Sequence, residues 1–422
     1  MTTKPPMFNY ASFCKDLSIN AVNDQIRSLL FNNYNDNRSI IVSSSSSSKT
    51  FKKSDYILIT KEIWKLFMNQ ITLKKFSFWR SPWSHMNYIN FTFYPGAKNY
   101  LKNLSELNCS SDTSDISSDF FYQLSKICHN IRSLMINFEK HISKGLSDLI
   151  IVQKNLKYLS IIEPYMNCKD LTDLLSILPD TLIKLYLCYG EEHYIPLSFI
   201  TKFTNLQELE LSFNYNFTFR DFKKLQHVTF PQLQILKFEC LCPTYEELIN
   251  FLKNNGKNLK EFCTVENNNS INLAIAKFCP NLKKLSAGFR SNELETLRMV
   301  FNSCQYLESI KIMRCDDAFL YEIDALELIA KYSPKSVFEL KLHYSDKLKS
   351  ELLPEILESF FIMWSNRVPQ RLLSLIIVDF DLNRFDPNSL DTKDENMAII
   401  IGRRYAELGV IRTFKIIDFL ED

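Results

Sequence analysis

The residues able to do chemistry in this chain are few and badly placed for it. A Gly-Lys pair in "NNGKNLKEF" hints at a phosphate loop, but Phe251 stands where the first glycine is required and Asn258 replaces the Ser/Thr. A loop whose amides cradle phosphate is therefore not encoded. No G-x-S-x-G, H-E-x-x-H or G-x-G-x-x-G phrase occurs. His85, His129, His141, His193, His227 and His343 lie far apart and share no repeat position. The cysteines contain no C-x-x-C, and "CLC" at 240–242 has no histidine at ligand spacing, so a tetrahedral zinc site is not indicated. The expectation is a protein without catalytic residues, metal or cofactor, and so not an enzyme.

The bulk properties narrow the alternatives. The 422 residues carry 50 basic and 48 acidic side chains, a formal charge of +2, which gives no electrostatic footprint for nucleic acid. Hydrophobic residues make up 46% and aromatics 13%, ample for a large core. Seven glycines are too few for glycine-rich ligand loops. The N-terminus "MTTKPPMFNY" lacks the apolar stretch of a signal peptide, and no apolar run reaches the ~18 residues of a membrane span. Eleven scattered cysteines then read as free buried thiols in a reducing compartment, cytoplasmic or nuclear, with no membrane partner expected.

What the chain does have is a period. The phrase x-L-x-x-L-x-L, with Ile, Val or Phe allowed for Leu, begins its apolar series at Leu73, Leu104, Ile131, Leu156, Leu182, Leu206, Leu233, Leu259, Leu282, Leu307, Val337, Leu372 and Ile411. These thirteen matches are mostly 23 to 31 residues apart, and the last two spacings stretch to 35 and 39. That is the period of leucine-rich repeats, in which each unit supplies one short parallel strand and one return helix. In L-x-L the side chains alternate, so both apolar residues face inward. The expected fold is an α/β leucine-rich-repeat solenoid, a horseshoe with parallel strands on the concave face and helices outside.

The intervening segments read as the helices. "SSDFFYQLSKICHN" has helical apolar spacing and possible caps at Ser117 and Ser118, while "TYEELINFLKNNGKN" has Thr244 to start it and Gly256 to stop it. Cysteine recurs three residues before the first apolar residue of the phrase, at Cys128, Cys279 and Cys304. A small, weakly polar side chain buried at the helix-to-strand turn accounts for this. Residues 1–60 are expected to form a helical segment ending in a mobile Ser-rich loop, with the solenoid of about thirteen strand units over 61–422. "RSPWSHMNYINFTFYPGAKNY" after the first strand, and the long polar loop before the last helix, read as irregular ends.

A repeat array offers a surface in place of an active site. The residues between and beside the inward leucines line the concave face. Early repeats place Trp79, Met135, Tyr158, Ile162 and Tyr186 there; middle repeats place Glu208, Glu210, Glu239 and Glu261; late repeats place Lys284, Lys311 and Lys341. Aromatic and Met residues on a rigid sheet suit a protein partner, with the acidic and basic zones setting its orientation. A small-anion co-receptor, with its ligand against Lys284, Lys311 and Lys341, is the other reading of the basic zone.

The cysteine-bearing C-x-N-L-x-x-L phrases at ~26-residue spacing resemble the repeats of F-box/leucine-rich-repeat proteins. "FNYASFCKDLSINAVNDQI", "WRSPW", "NLKYLSI" and "CPNLKKLS" are similar to the expanded F-box-like families of mycorrhizal fungi. The resemblance implies the substrate-recognition part of a cullin-RING ubiquitin ligase. There an N-terminal F-box grips the Skp adaptor and the repeats hold a protein substrate. The chain departs from that pattern in showing no F-box before Phe8 and no L-P-x-E opening. An F-box-less scaffold or decoy with no ligase role is the expectation that this departure favours, and adaptor and cullin binding is expected only if a divergent equivalent is present.

Overall fold

The computed structural model describes residues 13–31, 58–59, 61–65, 72–79, 96–111, 115–138, 142–163, 171–189, 196–314, 321–344, 353–379 and 390–418. The chain forms two compact units, Met1–Ile195 and Pro196–Asp422. In the first, strands β1 (Asp16–Ser18), β2 (Lys75–Phe78), β3 (Glu106–Ser111), β4 (Ser133–Phe138), β5 (Tyr158–Glu163) and β6 (Lys184–Tyr189) pair in chain order, all parallel. In the second, β7 (Glu208–Phe213), β8 (Ile235–Phe238), β9 (Glu261–Thr264), β10 (Lys284–Gly288), β11 (Ser309–Arg314), β12 (Glu339–Tyr344), β13 (Leu373–Asp379) and β14 (Ile411–Asp418) do the same.

The thirteen phrases thus become β2 to β14. Alternation decides which side chains enter the core: Leu134, Ile136 and Phe138 of β4 are buried, while Ser133, Met135 and Asn137 between them are half-buried. Two departures are local. Ahead of the expected solenoid start at residue 61, β1 lies inside the segment read as helical and pairs Leu17 with Phe76. At β13 the frame slips by one: Leu372 is 44% exposed and Leu373 takes its place in the core, beside an irregularity between Leu373 and Ser374. The Ser-rich loop at 43–48 falls outside the described residues, as does most of the excursion after β2.

Return helices close each repeat. The helix Asp115–Ile127 starts earlier than its sequence suggests, so Ser117 and Ser118 lie within it and are not caps. Ser118 instead accepts a hydrogen bond at Oγ from the Gly145 N–H, in the first turn of the next helix, Lys144–Ile151. The two helices approach so closely there that a Cβ on Gly145 would lie 1.8 Å from the Ser118 carbonyl oxygen. Helix Tyr245–Asn255 does begin after Thr244 and end before Gly256. Gly256 keeps a right-handed φ of −62°, and its need is space: a Cβ would meet Cys279 Sγ at 2.8 Å and the Phe278 carbonyl oxygen at 2.9 Å. Where the return segments are short, as at Asn216–Phe219 and Phe222–Leu225, rings fill the core: Phe213, Phe219, Phe222, Phe238 and Phe251 stack with centroids 5.0 to 6.2 Å apart.

The turn three residues before each apolar series stitches a repeat to its predecessor. Cys128 and Cys304 are buried, and each donates its thiol to a carbonyl at the same turn position one repeat back, Leu101 at 3.4 Å and Cys279 at 3.3 Å. At the equivalent place Gln153 donates its amide to the Cys128 carbonyl at 2.6 Å. Asn255 accepts from the Phe230 N–H at 2.7 Å and donates to the Val228 carbonyl at 2.9 Å. Near the end of the second unit Arg367, buried, donates to the carbonyls of Ile329, Ala330, Ser333 and Pro334 and to Ser333 Oγ. Turn carbonyls that would otherwise be buried without a donor are satisfied in this way. Burial pushes the Cys128 and Cys304 thiols up to about 12, so they remain protonated donors.

Candidate functional site

Strand parity leaves one face of each sheet to the residues between the core leucines. In the first unit the register sets Ser77, Asn108, Met135, Ser160 and Tyr186 in one row across β2 to β6. Ser133, Tyr158 and Lys184 form the row on one side, and Asn137, Ile162 and Cys188 the row on the other. Met135, Tyr158, Ile162 and Tyr186 therefore share one surface. Tyr158 is 40% exposed, with Lys184 Nζ 5.7 Å from its ring centre. Trp79 stands just past β2 and is anchored by main chain: its N–H donates to Asn20 Oδ1 and its carbonyl accepts from Asn20 Nδ2, both at 2.8 Å. Asn20 escaped the sequence reading because nothing marks an exposed-looking Asn as a clamp on a residue 59 positions away.

In the second unit Glu210, Lys237, Cys263, Ser286, Lys311 and Lys341 occupy one row on β7 to β12, and Glu208, Ile235, Glu261, Lys284, Ser309 and Glu339 the adjacent one. Two expectations change. The acidic zone of Glu208, Glu210, Glu239 and Glu261 is threaded by Lys237, whose Nζ lies 3.1 Å from Glu261 and 3.9 Å from Glu210. The basic zone is split, since Lys284 belongs to a different row from Lys311 and Lys341. Farther along the same strands Gly288, Met313, His343 and Val378 are buried, so in β10 to β13 the third position of the face is covered.

Charge is unevenly shared in the acidic zone. Glu210 is pushed up to about 7, first by burial and then by a hydrogen bond to Glu239 and the charges of Glu239 and Glu208, with Lys237 opposing. Burial works against the Lys237 ammonium, but the Glu261 hydrogen bond and the charges of Glu261, Glu210 and Glu208 more than offset it, and the net shift is upward. Near neutral pH Glu210 is thus about half protonated while Lys237 stays charged.

No three His, Cys, Asp or Glu side chains among the described residues converge on a metal position, and no described helix is long and apolar enough to cross a membrane. The described cysteines are free.

Parallel strands of L-x-L pattern, return helices and stitched turns at a ~26-residue period define an α/β leucine-rich-repeat solenoid architecture in each unit. No protein-family model matches the chain, and no curated protein matches it in sequence. Among solved structures it is similar to the leucine-rich repeat-containing protein LegL7 from Legionella pneumophila, at 14% identity and a TM-score of 0.39, over 76% of this chain and 97% of that one.

Proposed function

We propose that this protein is a non-catalytic recognition module that binds a protein partner on the helix-free faces of its sheets. One observation carries the reading. Tyr158 is held 40% exposed on a rigid strand, and Met135, Ile162 and Tyr186 are half-buried on the neighbouring strands. Large apolar side chains fixed on a surface by their own backbone lose little entropy when covered, which makes them efficient anchors. The charged rows of the second unit would orient a partner more than hold it, since half-exposed ion pairs contribute little net affinity.

Within that reading we favour the substrate-receiving subunit of a Skp–cullin–F-box type ubiquitin ligase, in the cytoplasm or nucleus. Its support is the resemblance of the repeat phrases to that family. Titration of the full chain with a fungal Skp adaptor tests it. Micromolar or tighter binding is expected. Absence of binding leaves a scaffold or decoy that recognises its partner without a ligase.

A further inference from the structure

The 50 basic and 48 acidic side chains of the chain nearly cancel, but the first unit sorts them in space. Its turns before β3, β4 and β5, at residues 98–105, 126–133 and 151–158, contain no Asp or Glu. Main-chain hydrogen bonds hold these turns in register. The Ser105 N–H donates to the Lys74 carbonyl, the Arg132 N–H to that of Ser105 and the Lys157 N–H to that of Arg132, each at 2.8 Å. Lys74, Ser105, Arg132 and Lys157 thus form one row. Lys102, His129 and Lys154, each two residues before the first apolar residue of its phrase, form a second. Asp180 and Ile183 take these positions in the next turn and end both rows. Lys74, Lys102, Arg132 and Lys154 are exposed and Lys157 is half-buried. None of the five forms an ion pair among the described residues, whereas Lys75 pairs with Glu106 at 3.6 Å. The negative end of a helix favours Lys102 and Lys126. Arg132 and Lys157 stand one residue before β4 and β5, where no helix end needs them.

We propose that this turn edge of the first unit binds single-stranded nucleic acid through its phosphodiester backbone, without reading sequence. Charge complementarity carries the choice. The band is linear: four consecutive strands about 4.8 Å apart spread its cations over about 15 Å. Two such rows, free of carboxylates, match a chain of monoanions, for which affinity comes mainly from the phosphates. Of the aliphatic side chains in these turns only Ile151 is exposed. The edge therefore lacks the apolar centre of a protein interface and the apolar face that enters a membrane. On the helix side of the band Tyr122 is 42% exposed, with Lys126 Nζ 4.5 Å from its ring centre. An aromatic face beside a cation is a place where a base can stack. The site lies on the turn edge of the sheet, and so goes beyond the protein-partner reading of the face that carries Met135, Ile162 and Tyr186.

Fluorescence anisotropy of a fluorescein-labelled oligouridylate, titrated with the full chain, tests the proposal. A Kd of about 1–100 µM is expected at physiological salt. The log of affinity should fall against the log of salt with a slope of about −2 to −3.5, as about three to five engaged phosphates imply for a single strand. Arg132→Glu and Lys157→Glu should each weaken binding about fivefold to tenfold. Lys283→Glu is the matched control, because it changes the charge equally at the same turn position in the second unit, where Lys283 is already paired with Glu308 at 2.9 Å. It should change affinity less than about threefold. Arg132→Gln, which removes charge without reversing it, should fall between, and circular dichroism checks that each variant is folded. Equal losses from Arg132→Glu and Lys283→Glu overturn the band as the site. No saturable signal from the wild type at about 200 µM overturns nucleic-acid binding altogether. Displacement of the labelled RNA by polyglutamate or by phosphatidylserine vesicles at lower charge concentration than by unlabelled oligouridylate overturns the phosphodiester assignment. No protein partner enters this experiment, so its failure is separate from failure of the partner-face reading.

Discussion

Cys304 donates its thiol to the carbonyl oxygen of Cys279 across 3.3 Å, one repeat back at the same turn position. The contact combines packing with a weak hydrogen bond. Cys304→Ala removes both, and we expect it to cost about 1–2 kcal/mol in urea unfolding. Cys304→Ser keeps a donor and should lose less. An alanine variant as stable as wild type would show that the sulfur matters to neither.

Arg367 meets its carbonyls as a fork, with its guanidinium carbon 4.3 Å from the centre of the Trp364 ring. Lysine carries the same charge but cannot reach several acceptors in one plane. Arg367→Lys is therefore predicted to destabilise the second unit by about 3 kcal/mol. Equal unfolding midpoints for the two proteins would contradict the fork as the stabilising element.

Glu210 gives a pH dependence with a definite sign. Its folded pKa, about 7, lies above its ordinary value of 4.5, so the folded state binds the extra proton. Its contribution to stability is fully present below about pH 4.5 and is lost as pH rises through about 7. Glu210→Gln keeps the shape without the charge. At pH 8 it should be more stable than wild type by about 1–2 kcal/mol, and at pH 5 the gap should narrow, as thermal unfolding at the two pH values would reveal. A gap that widens toward acid would reverse the assignment.

Substitution of Tyr158 and Tyr186 tests the proposed recognition face apart from folding. Replacing both with Ala should weaken partner capture about tenfold or more while shifting Tm by less than about 4 °C. A large fall in Tm would make them core residues and remove the face from consideration.

The parts of this fold that repeat were legible in the sequence, because periodicity is a sum over many weak signals. All thirteen strand phrases became strands, and L-x-L parity sets Met135, Tyr158 and Lys311 apart from the buried leucines beside them. What happens once was not legible. β1 is three residues long, with Leu17 as its buried residue, too little for a pattern. Nothing in the sequence marks Gln153, Asn255 or Arg367, since burial of a polar side chain depends on carbonyls supplied by another repeat. The covered third position in β10 to β13 has the same origin, because alternation says which way a side chain points and nothing about what lies over it.

The cramped space beside Gly256 bears on how such arrays can be recombined. Gly256 is fitted to the Cys279 that follows it, Gln153 to the Cys128 before it, and Arg367 to the Ile329–Pro334 turn. The exchangeable piece is then the junction, half of one repeat and half of the next, with cuts placed in mid-strand or mid-helix. Chimaeras joined at the turns would pair mismatched halves, whereas those joined within the strands would carry each lock together with its key.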